Sequence, residues 1–338
     1  MEQIEALASL LSRPGRIAIT THQKPDGDAM GSSLGLYHYL VKCGHRVTVV
    51  SPTEYADFLK WIPGSDKVLV GPSDPDLARW TFDGADLIFC LDFNGLSRIN
   101  EFEPMVRDSY AKKIVVDHHP EPEGFEDLTF LDTSASSTAE MIYRIIVALG
   151  DSDKIDLPVA EALYTGVMTD TGSFRYTNTS AEVHRMVAHF IETGINVNRI
   201  HDLLFANFSA ERYKFLGYCL LNCLHVLPEY KTAYIKLEKE VFRQFNVKAG
   251  DTEGLVNYAM SIKDINLAIL ITTQDDLVKM SFRSRGEVSA SEFAREFDGG
   301  GHFYAAGGKS KDSLEETEKR LMSLLEEKKE ILLTNAMA

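Results

Sequence analysis

Cysteine is scarce. Four thiols in 338 residues, Cys43, Cys90, Cys219 and Cys223, are too few to staple a chain of this length, which excludes a disulfide framework. Cys43 and Cys90 fall inside apolar elements. Cys219 and Cys223 lie four apart in a helical run and suit a core rather than a metal. Apolar stretches are short, and none approaches the roughly 20 residues that span a bilayer. The segment Met1 to Leu11, with Glu2 and Glu5, lacks the basic start and apolar block of a secretory leader. The expectation is a cytoplasmic protein with no membrane partner. Positive charge is in deficit as well: 35 Lys and Arg face 50 Asp and Glu, a net −15 with neutral histidines. Such a surface repels long duplex nucleic acid and lipid headgroups, so an anionic substrate must be drawn in by a local site. No internal repeat or low-complexity segment is visible, and the lysine and glutamate run 315–330 reads as the solvated face of a last helix.

With 44% apolar and 25% charged residues, the composition is that of an ordinary globular protein, and the length suggests two domains. From Arg16 to about Gly194, short β-branched runs alternate with helical patterns. The runs 16–21, 46–50, 87–91 and 113–117 are apolar on both faces, as buried parallel strands are. Helical segments include Gly31 to Cys43, ended by Gly44, and Thr138 to Leu149, ended by Gly150. The pattern predicts an α/β fold, an open doubly wound parallel sheet, over residues 1–195. Residues 196–227 read as a helical linker without strands. A smaller α/β domain is expected over 228–338, with strands around 232–237, 266–272 and 277–283 and helices around 253–261, 289–297 and 313–327.

In open α/β sheets, ligands bind beyond the carboxyl ends of the strands. The first strand runs into His22, Asp26 and Asp28, the third ends at Asp92, and the fourth ends in Asp117, His118 and His119. A further aspartate, Asp170, closes a helical pattern that begins near Val159 and precedes a glycine suited to a sharp turn. Any one of these could cap a helix, but caps need no clustered histidines. Carboxylate and imidazole donors without thiolate suit Mn²⁺, Mg²⁺, Fe²⁺ or Co²⁺, with zinc less favoured. The set exceeds what one ion needs and fits two divalent cations sharing a carboxylate, an arrangement suited to phosphoester or phosphoanhydride hydrolysis. Ser136, Ser137 and Thr138 read as caps of the helix that follows. A nicotinamide or flavin module is disfavoured, because the first strand is not followed by GxGxxG.

The motifs His22-x-x-x-Asp26-x-Asp28, Asp92, Asp117–His118–His119 and Asp170, in this order, resemble those of the DHH phosphoesterases. The resemblance implies His22 and Asp26 on one Mn²⁺, Asp28, His118 and Asp170 on the other, and Asp92 bridging both. It further implies that Asp117 orients a ligand histidine and that His119 contacts the substrate phosphate or protonates the leaving oxygen. His119, Asp117, His118 and Asp92 are thus the expected catalytic set.

Near the C-terminus, Asp298-Gly-Gly-Gly-His-Phe-Tyr-Ala-Ala-Gly-Gly308 places glycines where backbone must approach a ligand, then begins a helix-like run after His302. Ser281-Phe-Arg-Ser-Arg285 ends a strand in two arginines suited to phosphate. Together with 251–257, these resemble the DHHA1 substrate-binding domain. The resemblance implies a substrate socket of Arg283, Arg285, Gly299, Gly300, Gly301 and His302, and an active-site cleft between the two domains. Among family members, a DHHA1-type end without an added OB-like or membrane-sensor portion looks most like the small oligoribonucleases. These degrade very short RNA (nanoRNA) to mononucleotides and dephosphorylate 3′-phosphoadenosine 5′-phosphate to AMP, by two-metal activated water. The expected partners are therefore short oligoribonucleotides and small phosphorylated nucleotides, not long duplexes, and a homodimer is compatible. A linear or cyclic dinucleotide phosphodiesterase is the alternative, ahead of an inorganic pyrophosphatase or a non-catalytic binding protein.

Overall fold

A computed structural model describes residues 2–248, 250–274 and 277–334. The chain divides into two compact units, Met1–Asn207 and Phe208–Ala338. In the first, the β-branched runs form a six-stranded sheet: β1 (Arg16–Thr21), β2 (Arg46–Ser51), β3 (Leu69–Val70), β4 (Leu87–Leu91), β5 (Lys112–Asp117) and β6 (Leu128–Leu131). Every pairing is parallel, and the order is β3-β2-β1-β4-β5-β6. The helices of this unit are α1 (Glu2–Leu11), α2 (Gly27–Lys42), α3 (Pro75–Asp83), α4 (Glu103–Asp108), α5 (Thr138–Ala148), α6 (Leu157–Asp170), α7 (Ala181–Glu192) and α8 (Val197–Phe205).

Alternate strand residues face opposite sides of the sheet. Ile17, Ile19, Phe89, Leu91, Ile114 and Val116 pack against Met30 and Leu34 of α2, Ile142 of α5 and Leu163 of α6. Ala18, Ile88, Cys90 and Val115 pack on the other side with Phe82 of α3, Phe102 and Val106. A one-residue slip in any central strand would exchange the two sets, so the double burial pins the register. It thereby pins the residue at which each strand ends. Helices α2, α5 and α6 meet closely on one side: a Cβ on Gly166 of α6 would lie 2.6 Å from the Ala139 methyl and 2.9 Å from Asp28 Oδ1.

The second unit holds a mixed sheet of β7 (Leu224–Leu227), β8 (Thr232–Leu237), β9 (Leu267–Gln274), β10 (Leu277–Ser284), β11 (Gly300–Gly301) and β12 (Ala305–Ser310), in the order β11-β12-β10-β9-β8-β7. Its helices are α9 (Ala210–Tyr218), α10 (Lys239–Gln244), α11 (Leu255–Met260), α12 (Ala290–Arg295), α13 (Leu314–Glu327) and α14 (Lys329–Leu332). Ile269, Ile271, Met280 and Phe282 pack against Phe293 and Leu321, while Ala233, Ile235 and Leu270 pack against Phe215, Cys219, Cys223 and Val256. Both cysteines thus fill a core.

Two expectations fail in this unit. The run 196–227 is not helical throughout: it widens into a π turn at Cys219–Cys223 and then becomes β7. β7 pairs antiparallel with β8, and His225 stacks on Tyr234 with ring centroids 4.7 Å apart. The stretch after His302 is a strand, β12, because its glycines admit a close neighbour: a Cβ on Gly299 would lie 2.0 Å from the Gly307 carbonyl oxygen. No described helix is long and apolar enough to cross a membrane.

Candidate metal centre

Adjacent strands β1 and β4 mark the point where the strand order reverses, and chain connections leave them in opposite directions, opening a crevice at their carboxyl ends. His22 follows β1, Asp92 follows β4, and Asp117 ends β5 with His118 and His119 next. Asp28 enters from the first turn of α2, and Asp170 from the last residue of α6. His22, Asp28, Asp92, Asp117 and His118 are all buried. Asp26 is half exposed and caps α2, accepting from the amides of Asp28 and Ala29 at 3.1 Å.

Two of the histidines are held through Nδ1. Nδ1 of His22 lies 2.8 Å from the Gln23 carbonyl and Nδ1 of His118 lies 3.3 Å from that of Ala135. A carbonyl only accepts, so each Nδ1 carries the proton and each Nε2 presents a lone pair. Nε2 of His22 is 3.5 Å from Asp92 Oδ2 and 3.9 Å from Asp26 Oδ1. Nε2 of His118 is 3.6 Å from Asp92 Oδ1, 3.8 Å from Asp28 Oδ2 and 3.5 Å from Asp170 Oδ2. These separations are too long for hydrogen bonds. Donors sharing a cation at bond lengths of roughly 2.0–2.2 Å sit about 3–3.6 Å apart; the contacts of His22 with Asp92 and of His118 with Asp92 and Asp170 fall in that range, while Asp26 and Asp28 lie slightly beyond it. Among the described residues, donor atoms of His22, Asp26 and Asp92 lie within 4.8 Å of one another, as do those of Asp28, Asp92 and His118. Asp92 is common to both groups and turns one oxygen toward each histidine.

The electrostatics point the same way. Burial, with the charges of Asp92, Asp170 and Asp26, pushes the Asp28 carboxyl well above its ordinary range. Burial likewise raises Asp170 to about 7, with Asp26 and Asp92 adding to the effect against His118. Burial would raise Asp92 too, but the imidazoles of His22, His119 and His118 outweigh it and hold the group far down. Buried negative charge therefore exceeds what the histidines neutralise, and the oxygen and nitrogen donor set fits divalent cations of the Mn²⁺ or Mg²⁺ kind.

Residues 16–167 match the model of the DHH family, N-terminal domain, and residues 229–332 match that of the DHHA1 domain. A bifunctional oligoribonuclease and PAP phosphatase NrnA of Thermus thermophilus is 31% identical over 96% of this chain and 94% of its own. The chain belongs to the DHH family of phosphoesterases. The protein of the same description from Bacillus subtilis is 28% identical over 86% of this chain and 88% of its own. The crystal structure of an exopolyphosphatase-related protein from Bacteroides fragilis superposes with a TM-score of 0.94 at 37% identity, covering 98% of each chain.

Within the DHH domain, two partnerships differ from expectation. Asp117 is bonded to His119 and not to His118: its Oδ1 accepts the Nδ1 proton of His119 at 2.7 Å, while the Ala135 carbonyl holds His118. Asp117 is the last residue of β5, so its side chain meets the histidine two positions on. His119, held at Nδ1, keeps about a quarter of its side chain exposed, 23%. Burial opposes its protonation, but Asp117 and Asp92 raise it to about 9. Thr138 is no cap. Ser137 caps α5 by accepting from the Glu140 amide at 3.0 Å, whereas the Thr138 hydroxyl donates to Asp92 Oδ1 at 2.9 Å. The serine and threonine run before a helix signalled capping, and nothing local signalled the remote carboxylate.

In the DHHA1 domain, Arg283 lines a pocket of about 260 Å³ with Ser281, Thr252, Glu253, Gly254 and Val256. Arg285 does not join it. β10 ends at Ser284, and the Arg285 guanidinium donates to the Met260 carbonyl at the end of α11. Gly299 and Gly301 are accounted for by strand packing, since a Cβ on either would press on β12 backbone. A Cβ on Gly300 would meet nothing within 4 Å, so of these three glycines it is the one that faces open space. His302 is half-buried and follows β11, two strands from Arg283.

Proposed function

We propose that this protein is a Mn²⁺-dependent phosphodiesterase and phosphatase that degrades very short oligoribonucleotides to mononucleotides and dephosphorylates 3′-phosphoadenosine 5′-phosphate to AMP. The observation that carries the reading is the pair of donor groups sharing Asp92. Two relatives matched over most of the chain, each described as an oligoribonuclease and PAP phosphatase, support the substrate class. His22 and Asp26 would hold one cation, Asp28, His118 and Asp170 the other, and Asp92 both. When bound, the cations neutralise the phosphoryl group and activate a water for in-line attack.

The chain's own residues do the rest. His119 protonates the leaving oxygen from Nε2, because Asp117 fixes the proton of Nδ1 and favours the imidazolium. Arg283 offers its guanidinium to a second phosphate of the substrate, and Gly300, with no Cβ and open space where one would stand, leaves room for the same anion. A few local contacts suffice for a few-nucleotide substrate, which reconciles RNA hydrolysis with a net charge of −15. The test is parallel hydrolysis of an RNA dinucleotide, 3′-phosphoadenosine 5′-phosphate, cyclic di-AMP and pyrophosphate, each with Mn²⁺ and with chelator. Mn²⁺-dependent turnover of the first two supports the proposal. Preference for the cyclic compound or for pyrophosphate overturns the substrate assignment, and turnover that survives chelation overturns the metal assignment.

A further inference from the structure

Helix α5, eleven residues long, spends its first turn on the metal centre. The Thr138 amide donates to Asp28 Oδ2 at 2.6 Å and the Ala139 amide to Oδ1 at 2.9 Å, so both carboxylate oxygens are clamped. The Thr138 hydroxyl donates to Asp92 Oδ1 at 2.9 Å. One fully buried residue thus grips two carboxylates that belong to the same donor group. Each contact is backed from behind. The Ser136 amide and hydroxyl both donate to Glu140 Oε2 at 2.6 Å, Arg144 bonds Glu140 and also Asp132 at 2.8 Å, and Asn178 donates to the Ser136 carbonyl at 3.2 Å. Asp92 itself sits at φ +64, a left-handed conformation that a non-glycine residue keeps only when its surroundings impose it.

We propose that Thr138 is a positioning residue that sets the spacing and orientation of Asp28 and Asp92, and through them the paired occupancy of the two cation positions. It rests on the two-cation reading above. The hydroxyl bonds the same Oδ1 that lies 3.6 Å from His118 Nε2 while Oδ2 lies 3.5 Å from His22 Nε2, so Asp92 serves both groups in the rotamer that Thr138 selects. Thr138 touches no reacting atom in this account.

The experiment compares the full-length wild type with Thr138→Val, which deletes the hydroxyl at nearly constant shape, and Thr138→Ser, which keeps it. Mn²⁺ binding is read by calorimetry, the coupling of bound ions by electron paramagnetic resonance, and turnover by kcat and KM. The serine variant should bind two spin-coupled ions like the wild type. The valine variant, melting with the wild type in chelator, should bind its second ion about 10- to 100-fold more weakly. It should also show uncoupled Mn²⁺ and lose kcat rather than KM. Two tightly held, coupled ions in the valine variant, or equal defects in both variants, overturn the proposal. Should the valine variant not fold, the serine variant decides: coupled pairs sustain the role of the hydroxyl and their loss refutes it. A wild type that binds a single ion refutes the two-cation reading itself, a distinct result.

Discussion

Replacing Asp92 by Asn keeps the side chain's shape and removes its charge from the one place both donor groups share. His22 Nε2 and His118 Nε2 lie 3.5 and 3.6 Å from its two oxygens, which sets the scale for any cation seated among these donors. At an effective dielectric of about 20, one charge pair at such a distance is worth about 4–5 kcal/mol, and a divalent ion doubles it. Even half of the single-charge value is more than a tenfold change in affinity, and it applies to both positions at once. Asp92→Asn should therefore fall from two Mn²⁺ per chain to one or none after desalting, with turnover reduced at least about a thousandfold. The melting temperature separates this from misfolding. In chelator the variant loses the repulsion of Asp28 and Asp170 but also the attraction of the three imidazoles, so its own melting point in chelator is the baseline for the metal effect. Added Mn²⁺ should raise the wild-type melting point by binding the folded state, and most of that rise should vanish in the variant. Full metal content with a wild-type rate would refute the shared-ligand argument.

Three further outcomes are expected. His119→Ala should lower kcat by about 10²–10⁴ with metal content unchanged, and Asp117→Asn should follow in the same direction; metal loss in either would place His119 among the ligands. Arg283→Ala should raise KM for a dinucleotide while Arg285→Ala leaves KM alone and lowers the melting point, because Arg285 is bonded to the Met260 carbonyl; the reverse pattern would exchange their roles. Gly166→Ala should cost roughly 1–3 kcal/mol in urea unfolding and weaken Mn²⁺ binding, since its methyl would press on Ala139 and Asp28. Unchanged values for both would mean that α2 and α6 have room to part.

Strand ends were legible because β1, β4 and β5 are buried on both faces, and such runs announce where they stop. Asp92, Asp117 and His118 follow from those stops alone. Edges were not legible. β3 and β11 are two residues each, and β7 and β12 become strands only through partners supplied elsewhere in the chain. The same limit explains the arginines. Side chains two apart share a face only while the strand continues, and β10 stops at Ser284, so Arg283 stays on the sheet face while Arg285 turns to α11.

Ser136, Ser137 and Thr138 show the limit most sharply. Each can cap a helix, and their order does not tell which one does. Ser137 takes the cap, Ser136 turns to Glu140, and Thr138 is left with its hydroxyl toward Asp92. The assignment depends on where the sheet puts Asp92 relative to the first turn of α5, a distance set by the packing of α5 against α2 and α6. Local propensity therefore predicts that some hydroxyl will serve the helix, whereas the tertiary fold chooses which one is spared for Asp92. Asp117 obeys the same logic. Its neighbours in sequence include two histidines, and the end of β5 aims it at the second, leaving the first to a backbone carbonyl and to the carboxylates of Asp28, Asp92 and Asp170.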